Sequence, residues 1–178
     1  MELIEKALKK EVVYKGRKFD FRSDEVLLPN GETSKRDFVA HPGGVTIAAL
    51  DENDELLFVR QFRYPYGRVI LELPAGTLEK GEDPRDAGLR ELREETGAVS
   101  TELHSLGEFY PSAGYSDEVI YLYYARVESV GDQQLDEDEF INTVKIPLKR
   151  AVEMVINNEI KDGKTIAAVL RLAAKLGE

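Results

Sequence analysis

The chain contains no cysteine, only two histidines and no long apolar run. Each absence removes a class of chemistry. Without cysteine there are no disulfides and no thiolate metal site. His41 and His104 are too few for a histidine-based zinc centre. The opening stretch MELIEKALKKE is charged throughout and offers neither an apolar signal core nor a membrane span, which predicts a cytoplasmic protein. Neither GxGxxG nor GxxxxGK[ST] occurs, so dinucleotide and P-loop sites lack their motifs. Positive charge is also in deficit: 24 Lys and Arg against 34 Asp and Glu leave a net charge of −10. That balance excludes nucleic acid and anionic membrane as main partners. A phosphate-bearing substrate must then be received by metal ions and a few local arginines.

What is present reads as a chain of 178 residues with enough apolar sequence for a real core. Residues 1–10 have Leu3, Ile4, Ala7 and Leu8 on one side at helical spacing, which predicts a short amphipathic helix. EVVYKG, KFDF and DEVLLP read as three short strands, with Pro29-Asn30-Gly31 as a hairpin turn before a strand around Arg36–His41. GVTIAAL (44–50) and ELLFVRQ (55–61) form a strand pair around the polar turn Asp51–Asp54, which lacks the glycine and distal glutamate of a calcium loop. Further strands are expected at 69–73, near 103–109, at 119–127 and near 140–146, and helices at 148–157 and about 164–176. Mixed strands with helices before and after predict an α+β protein, an α/β/α sandwich on a mixed sheet, preceded by a strand-rich extension.

The stretch Gly76–Ala98, GTLEKGEDPRDAGLRELREETGA, carries the chemistry. Asp83 can cap a helix, Pro84 suits its first turn and Gly97 stops it. Glu91, Glu94 and Glu95 stand at i, i+3 and i+4, within roughly 100° on one helix face. Leu89 and Leu92 fall on the adjoining flank, so the glutamates are expected on a solvent-facing surface. Spacing alone leaves two readings: a solvated acidic face paired with Arg90 or Arg93, or an oxygen-ligand site for a hard divalent cation.

Gly76, Glu82 and the run Arg90-Glu91-Leu92-Arg93-Glu94-Glu95-Thr96-Gly97-Ala98 match the Nudix box, with Ala98 where a bulkier aliphatic residue is usual. The chain thus resembles the Nudix hydrolases, which cleave a nucleoside diphosphate linked to another moiety with divalent cations held by the box glutamates. The resemblance implies the Nudix fold, with residues 41–178 as the hydrolase domain and 1–40 as an extension that exchanges strands in a homodimer. HPGGV, VRQFRYPYGRVILELPAGTLEKGED, LDEDEF and DGKTIAAVL resemble the ADP-ribose pyrophosphatase branch, covering most of residues 36–170. One departure touches substrate choice: Ser112-Ala113-Gly114 stands where that branch usually has Ser-Pro-Gly.

The resemblance implies Mg²⁺ or Mn²⁺ held by Glu91, Glu94, Glu95 and the carbonyl of Ala75, with Glu94 also counted among the catalytic groups. Gly76, Glu82, Arg90 and Gly97 support the box geometry. Glu137 or Glu139, in the acidic loop 136–139, aligns the attacking water, and the two are not separated. Arg63 and Arg36 contact phosphates, while Glu72 and Glu118 match acidic positions near ribose or metal-bound water. Tyr64, Tyr66 and Tyr110 are candidates for stacking. His41 reads as structural. The implied substrate is ADP-ribose, cut to AMP and ribose 5-phosphate. Another nucleoside diphosphate sugar such as GDP-mannose, or a non-catalytic sensor of such a molecule, stands as the alternative.

Overall fold

The computed structural model describes residues 3–177; Met1, Glu2 and Glu178, which include the start of the expected N-terminal helix, lie outside them. The chain divides into two compact units, one of residues up to Pro42 together with Tyr110–Val119, the other of Gly43–Phe109 with the chain from Ile120 onward.

The first unit is an antiparallel sheet of β1 (Lys6–Lys9), β2 (Val12–Lys15), β3 (Asp20–Leu27) and β4 (Thr33–Ala40). β3 is central, with β1 and β2 sharing one edge and β4 along the other. Two expectations are corrected here. Residues 6–9 form a strand and not a helix, because so short a periodic stretch cannot offset the cost of helix nucleation, whereas pairing with Glu25–Leu27 satisfies its backbone. KFDF and DEVLLP merge into the single strand β3: Asp24, buried in mid-strand, accepts from the Glu11 N–H at 3.0 Å and from Arg22 Nη2 at 2.6 Å, so its charge does not interrupt the ladder. Asn30 closes the β3–β4 turn by accepting from the Glu32 N–H, with Gly31 at φ 87°. The segment 110–119 is tied to β4, Val39 donating to the Tyr115 carbonyl and Asp117 to the Val39 carbonyl.

The second unit is built on a seven-stranded mixed sheet. β5 (Gly44–Leu50) lies inside it and is buried along its whole length. β6 (Glu55–Arg63) follows through a turn in which Asp51 Oδ1 accepts the N–H groups of Asn53 and Glu55, so the segment is a hairpin turn. The two strands pair only at Leu50 and Leu56 before diverging. Into the opening come β7 (Arg68–Glu72), paired with β6, and β8 (Ala75–Thr77), paired with β5. Leu73-Pro74 crosses between them, with the Pro74 carbonyl accepting from the Ile47 N–H at 2.9 Å. Then follow α1 (Pro84–Thr96), β9 (Ala98–Val99), β10 (His104–Phe109), β11 (Ile120–Arg126), β12 (Ser129–Val130), β13 (Ile141–Pro147), α2 (Leu148–Ile156) and α3 (Gly163–Leu176). β11 runs parallel to β5; the other pairings in this sheet are antiparallel.

Alternation along β5 builds the sandwich. Val45, Ile47 and Ala49 pack in one core with Ala87 and Leu92 of α1. Ala48 and Leu50 pack in the other with Leu148 of α2 and Val169 and Leu172 of α3. Each large aliphatic side chain so buried contributes roughly 1.5–3 kcal/mol, which holds α1 rigidly on the sheet beside the β7–β8 crossing. No helix among the described residues is long and apolar enough to cross a membrane.

Candidate active site

The local signals of α1 act as the sequence predicts. Asp83 Oδ1 accepts from the Arg85 N–H at 2.8 Å, Pro84 occupies the first turn, and Gly97 ends the helix at φ 71°. Because Ala87 and Leu92 face the core, the glutamate face turns toward Ala75-Gly76. Glu95 departs from expectation. It is only 4% exposed and lies beneath the loop, not on a solvent-facing surface, and its Oε2 accepts from the Ala75 N–H at 3.0 Å. Glu91 presses against Gly76 so closely that a Cβ there would stand 1.9 Å from its carboxylate. The box glycine is therefore a requirement of close approach.

Arg90 braces the assembly. Its Nε and Nη2 hold Glu82 at 2.9 and 3.0 Å, and its Nη1 reaches Glu91 at 2.7 Å and Glu94 at 3.0 Å. Glu82 in turn accepts from the Glu79 N–H, fixing the loop ahead of the helix. The hydrogen bonds from Arg90 hold the Glu82 carboxyl below its usual range. Burial pushes Glu91 up, with Arg90 opposing. Glu95 is pushed up to about 8, by burial first and then by the charges of Glu91 and Glu139, against the hydrogen bond from Ala75 and the charge of Arg63.

Among the described residues no three Asp, Glu or His side chains converge as they stand in an ion-binding arrangement, since Arg90 bridges Glu91 and Glu94. The donor chemistry nonetheless fits a hard divalent cation. Buried, mutually repelling carboxylates supply only oxygen ligands, and a dication between Glu91 and Glu95 would reverse the electrostatic penalty that raises both.

The acidic loop comes to the same helix. Glu139 is near enough for its charge to raise both Glu91 and Glu95, while Glu137 is exposed. Gln133, which the sequence did not single out, donates through Nε2 to the Glu95 carbonyl and to Thr143 Oγ1.

Arg63 and Glu72 form a bidentate ion pair, Nε–Oε1 at 2.7 Å and Nη2–Oε2 at 2.8 Å. Lys164, also unforeseen, donates to Glu72 Oε2 and lies 3.0 Å from Asp162. Burial opposes ionisation of Glu72, but Arg63 and Lys164 outweigh it and hold the carboxyl below its usual range. Asp162 caps α3 by accepting from the Thr165 N–H, and Thr165 Oγ1 accepts from the Leu73 N–H at 2.9 Å. The N-terminus of α3 thereby pins the crossing that leads to Ala75. Neither the Asp162 cap nor the reach of Thr165 to Leu73 was read from the sequence.

Arg36 and Glu118 belong to the first unit. Arg36 pairs there with Glu5, and Glu118 Oε1 lies 3.5 Å from His41 Nδ1. The His41 N–H donates to Asp117 Oδ1 and its ring lies near Phe19. Tyr64 and Tyr66 are exposed on the turn between β6 and β7, and Tyr110 is exposed in the first unit.

The family model of the NUDIX domain matches residues 40–169, which contain the braced loop, α1 and the acidic loop. The chain belongs to the Nudix family. It is 41% identical over 175 residues to the ADP-ribose pyrophosphatase of Bacillus subtilis, covering 97% of this chain and 95% of that protein. It is 43% identical over 167 residues to the methanol dehydrogenase activator of Bacillus methanolicus, covering 93% and 90%. A solved structure described as that of an ADP compounds hydrolase superimposes with a TM-score of 0.85 at 21% identity, over 99% of this chain and 97% of that one, and so shares the Nudix fold. Members of the Nudix hydrolase family require a divalent metal ion, in keeping with the all-oxygen donor set of the Nudix helix.

Proposed function

We propose that this protein hydrolyses the pyrophosphate bond of ADP-ribose to AMP and ribose 5-phosphate, with Mg²⁺ or Mn²⁺ held by Glu91, Glu94, Glu95 and the Ala75 carbonyl. The observation that carries the reading is the 41% identity, across nearly the whole chain, to an ADP-ribose pyrophosphatase. When bound, the metal neutralises diphosphate oxygens and lowers the pKa of water. Arg90 and Glu82 brace the helix against the loop, and Gly76 leaves room for Glu91. The Arg63–Glu72 pair uses Nε and Nη2, which leaves Nη1 to donate to a diphosphate oxygen. Glu139, the better placed of the two candidate bases, accepts the proton of the attacking water. The water oxygen bonds to the adenosine-side phosphorus, and the bond from that phosphorus to the bridging oxygen breaks. Ribose 5-phosphate leaves with the bridging oxygen.

The working unit in this reading is a homodimer, in which residues 11–40 of one copy, Arg36 among them, serve the partner's site. The support is an N-terminal unit whose Leu8, Val12, Val13, Tyr14 and Phe19 are all exposed. Light scattering at micromolar concentration should give twice the chain mass; a monomer rejects the dimer. A second reading, action on a partner enzyme, is favoured by the 43% identity to a methanol dehydrogenase activator. Hydrolysis of ADP-ribose in ¹⁸O-labelled water with Mg²⁺ tests the primary reading. AMP carrying the label supports it, label only in ribose 5-phosphate overturns the attack site, and no turnover of ADP-ribose overturns the substrate.

A further inference from the structure

A short segment clasps the far end of α1. The Gly131 N–H donates to the Gly97 carbonyl at 2.8 Å, and the Gln134 N–H donates to the Glu94 carbonyl at 2.9 Å. Between them Gln133 Nε2 reaches the Glu95 carbonyl and, at 3.2 Å, Thr143 Oγ1 of β13. Two carbonyls of the last helical turn, which would otherwise lack partners, and that of the capping Gly97 are satisfied by one passing strap. The fit is tight: a Cβ on Gly97 would lie 2.1 Å from the Gly131 carbonyl oxygen.

The strap's position matters because of what lies on either side of it. The helix carbonyls it grips belong to Glu94 and Glu95. A few residues further on it becomes the turn in which the Glu139 N–H donates to the Asp136 carbonyl. Thr143 pairs in register with Val59, and Val59 with Glu72, so Gln133 also ties the helix end to the strand row that carries the buried ion pair. Gln133 is the only side chain of the strap that reaches α1 and β13 together among the described bonds.

We propose that Gln133 is a positioning residue for hydrolysis: its amide sets the distance between the water-aligning carboxylate of the acidic loop and the helix turn bearing Glu94 and Glu95. The proposal rests on the functional reading above, in which that loop supplies the base. Gln133 touches neither substrate nor metal. It acts through Glu139, and displacement of a reacting group by about 1 Å costs up to about a hundred-fold in rate.

The test uses the full-length protein with Gln133→Met, which keeps the side-chain length and removes both N–H donors. For ADP-ribose with Mg²⁺, kcat should fall about ten-fold or more while KM stays within about two-fold. Mn²⁺ affinity, followed by electron paramagnetic resonance, should be unchanged, because the metal carboxylates are untouched. Amide exchange at Gln134 and Glu139 should accelerate while that of Ala87, at the other end of α1, does not. Gln133→Lys, which restores N–H donors at similar reach, should recover part of kcat. Unchanged kcat in Gln133→Met overturns the proposal, as does an equal loss of Mn²⁺ affinity, which would mark a structural role for the whole helix. The underlying reading fails separately: if Glu137→Gln and Glu139→Gln both keep full turnover, or the unmodified protein has none, the loop is not the base and Gln133 has nothing to position.

Discussion

Two carboxylates lie equally deep in the catalytic unit and are driven in opposite directions. Glu72 is 2% exposed and its carboxyl is held below the usual range; Glu95 is 4% exposed and is pushed up to about 8. Burial penalises both. What separates them is company. Glu72 is hydrogen-bonded to two cations, Arg63 and Lys164, while Glu95 receives one backbone N–H, feels Arg63 only through its charge, and faces the like charges of Glu91 and Glu139. One site is electrostatically complete and ties β6, β7 and α3 together. The other is rich in negative charge, and in the proposed function a divalent cation would complete it.

The contrast can be broken first at Glu95. Glu95→Gln should lower turnover of ADP-ribose by about a thousand-fold, the several kcal/mol of charge stabilisation that a metal contributes. The variant should unfold in chelator at a temperature no lower than the unmodified protein, because a neutral amide sits in that burial at less cost than a carboxylate. Near-normal kcat would remove Glu95 from the metal site.

Glu72→Gln should behave in reverse, destabilising the fold more than it alters metal affinity. Leaving Arg63 and Lys164 without their shared carboxylate charge should cost about 3 kcal/mol, toward the low end for a broken buried pair because part of the Arg63 guanidinium reaches water. Denaturant unfolding at pH 7 measures it. The sign with pH follows from the lowered carboxyl. Glu72 stabilises the fold fully above its unfolded value of about 4.3, and that contribution disappears as pH falls through the lower folded value. The gap between Glu72→Gln and the unmodified protein should therefore begin to narrow below about pH 4 and close only below the folded value. A gap that persists there would assign the loss to packing.

The smallest effect is expected where the two regions are joined. Thr165→Val strands the N–H of buried Leu73 and should cost about 1–2 kcal/mol, with Thr165→Ser close to silent. A loss in Thr165→Ser with Thr165→Val silent, read by thermal unfolding, would show that the methyl group and not the hydroxyl matters.

Much of this architecture was legible beforehand where the signals are local. The bounds of α1 follow from Asp83-Pro84 and Gly97, and β5 from a run apolar but for Thr46 and ended by a polar turn. Residues 6–9 were misread because a four-residue strand and a helical turn of the same apolar content look alike until β3 supplies a partner. β3 was divided in two because Asp24 in mid-strand looks like a break unless Arg22 is known to answer it. The solvent-facing placement of Glu95 was wrong for a related reason. Helical spacing orders the faces of α1 but says nothing of which loop covers them.

By itself the sequence determined the family, through the box, and with it the set of carboxylates available for a divalent cation. It also determined the bounds of α1 and the longer strands of the main sheet, which depend on neighbours within a few residues or on simple alternation. The short strand β8 and the layering about β5 emerged only in the structure. Only the tertiary structure decided which of those carboxylates carry raised pKa values and which are neutralised in place. That outcome turns on partners distant in the chain. Lys164 meets Glu72 across 92 residues, Ala75 meets Glu95 across 20, and Gln133 meets the Glu95 carbonyl across 38. Electrostatic energy depends on distance in space and on the burial around it, and neither is written in the order of the chain.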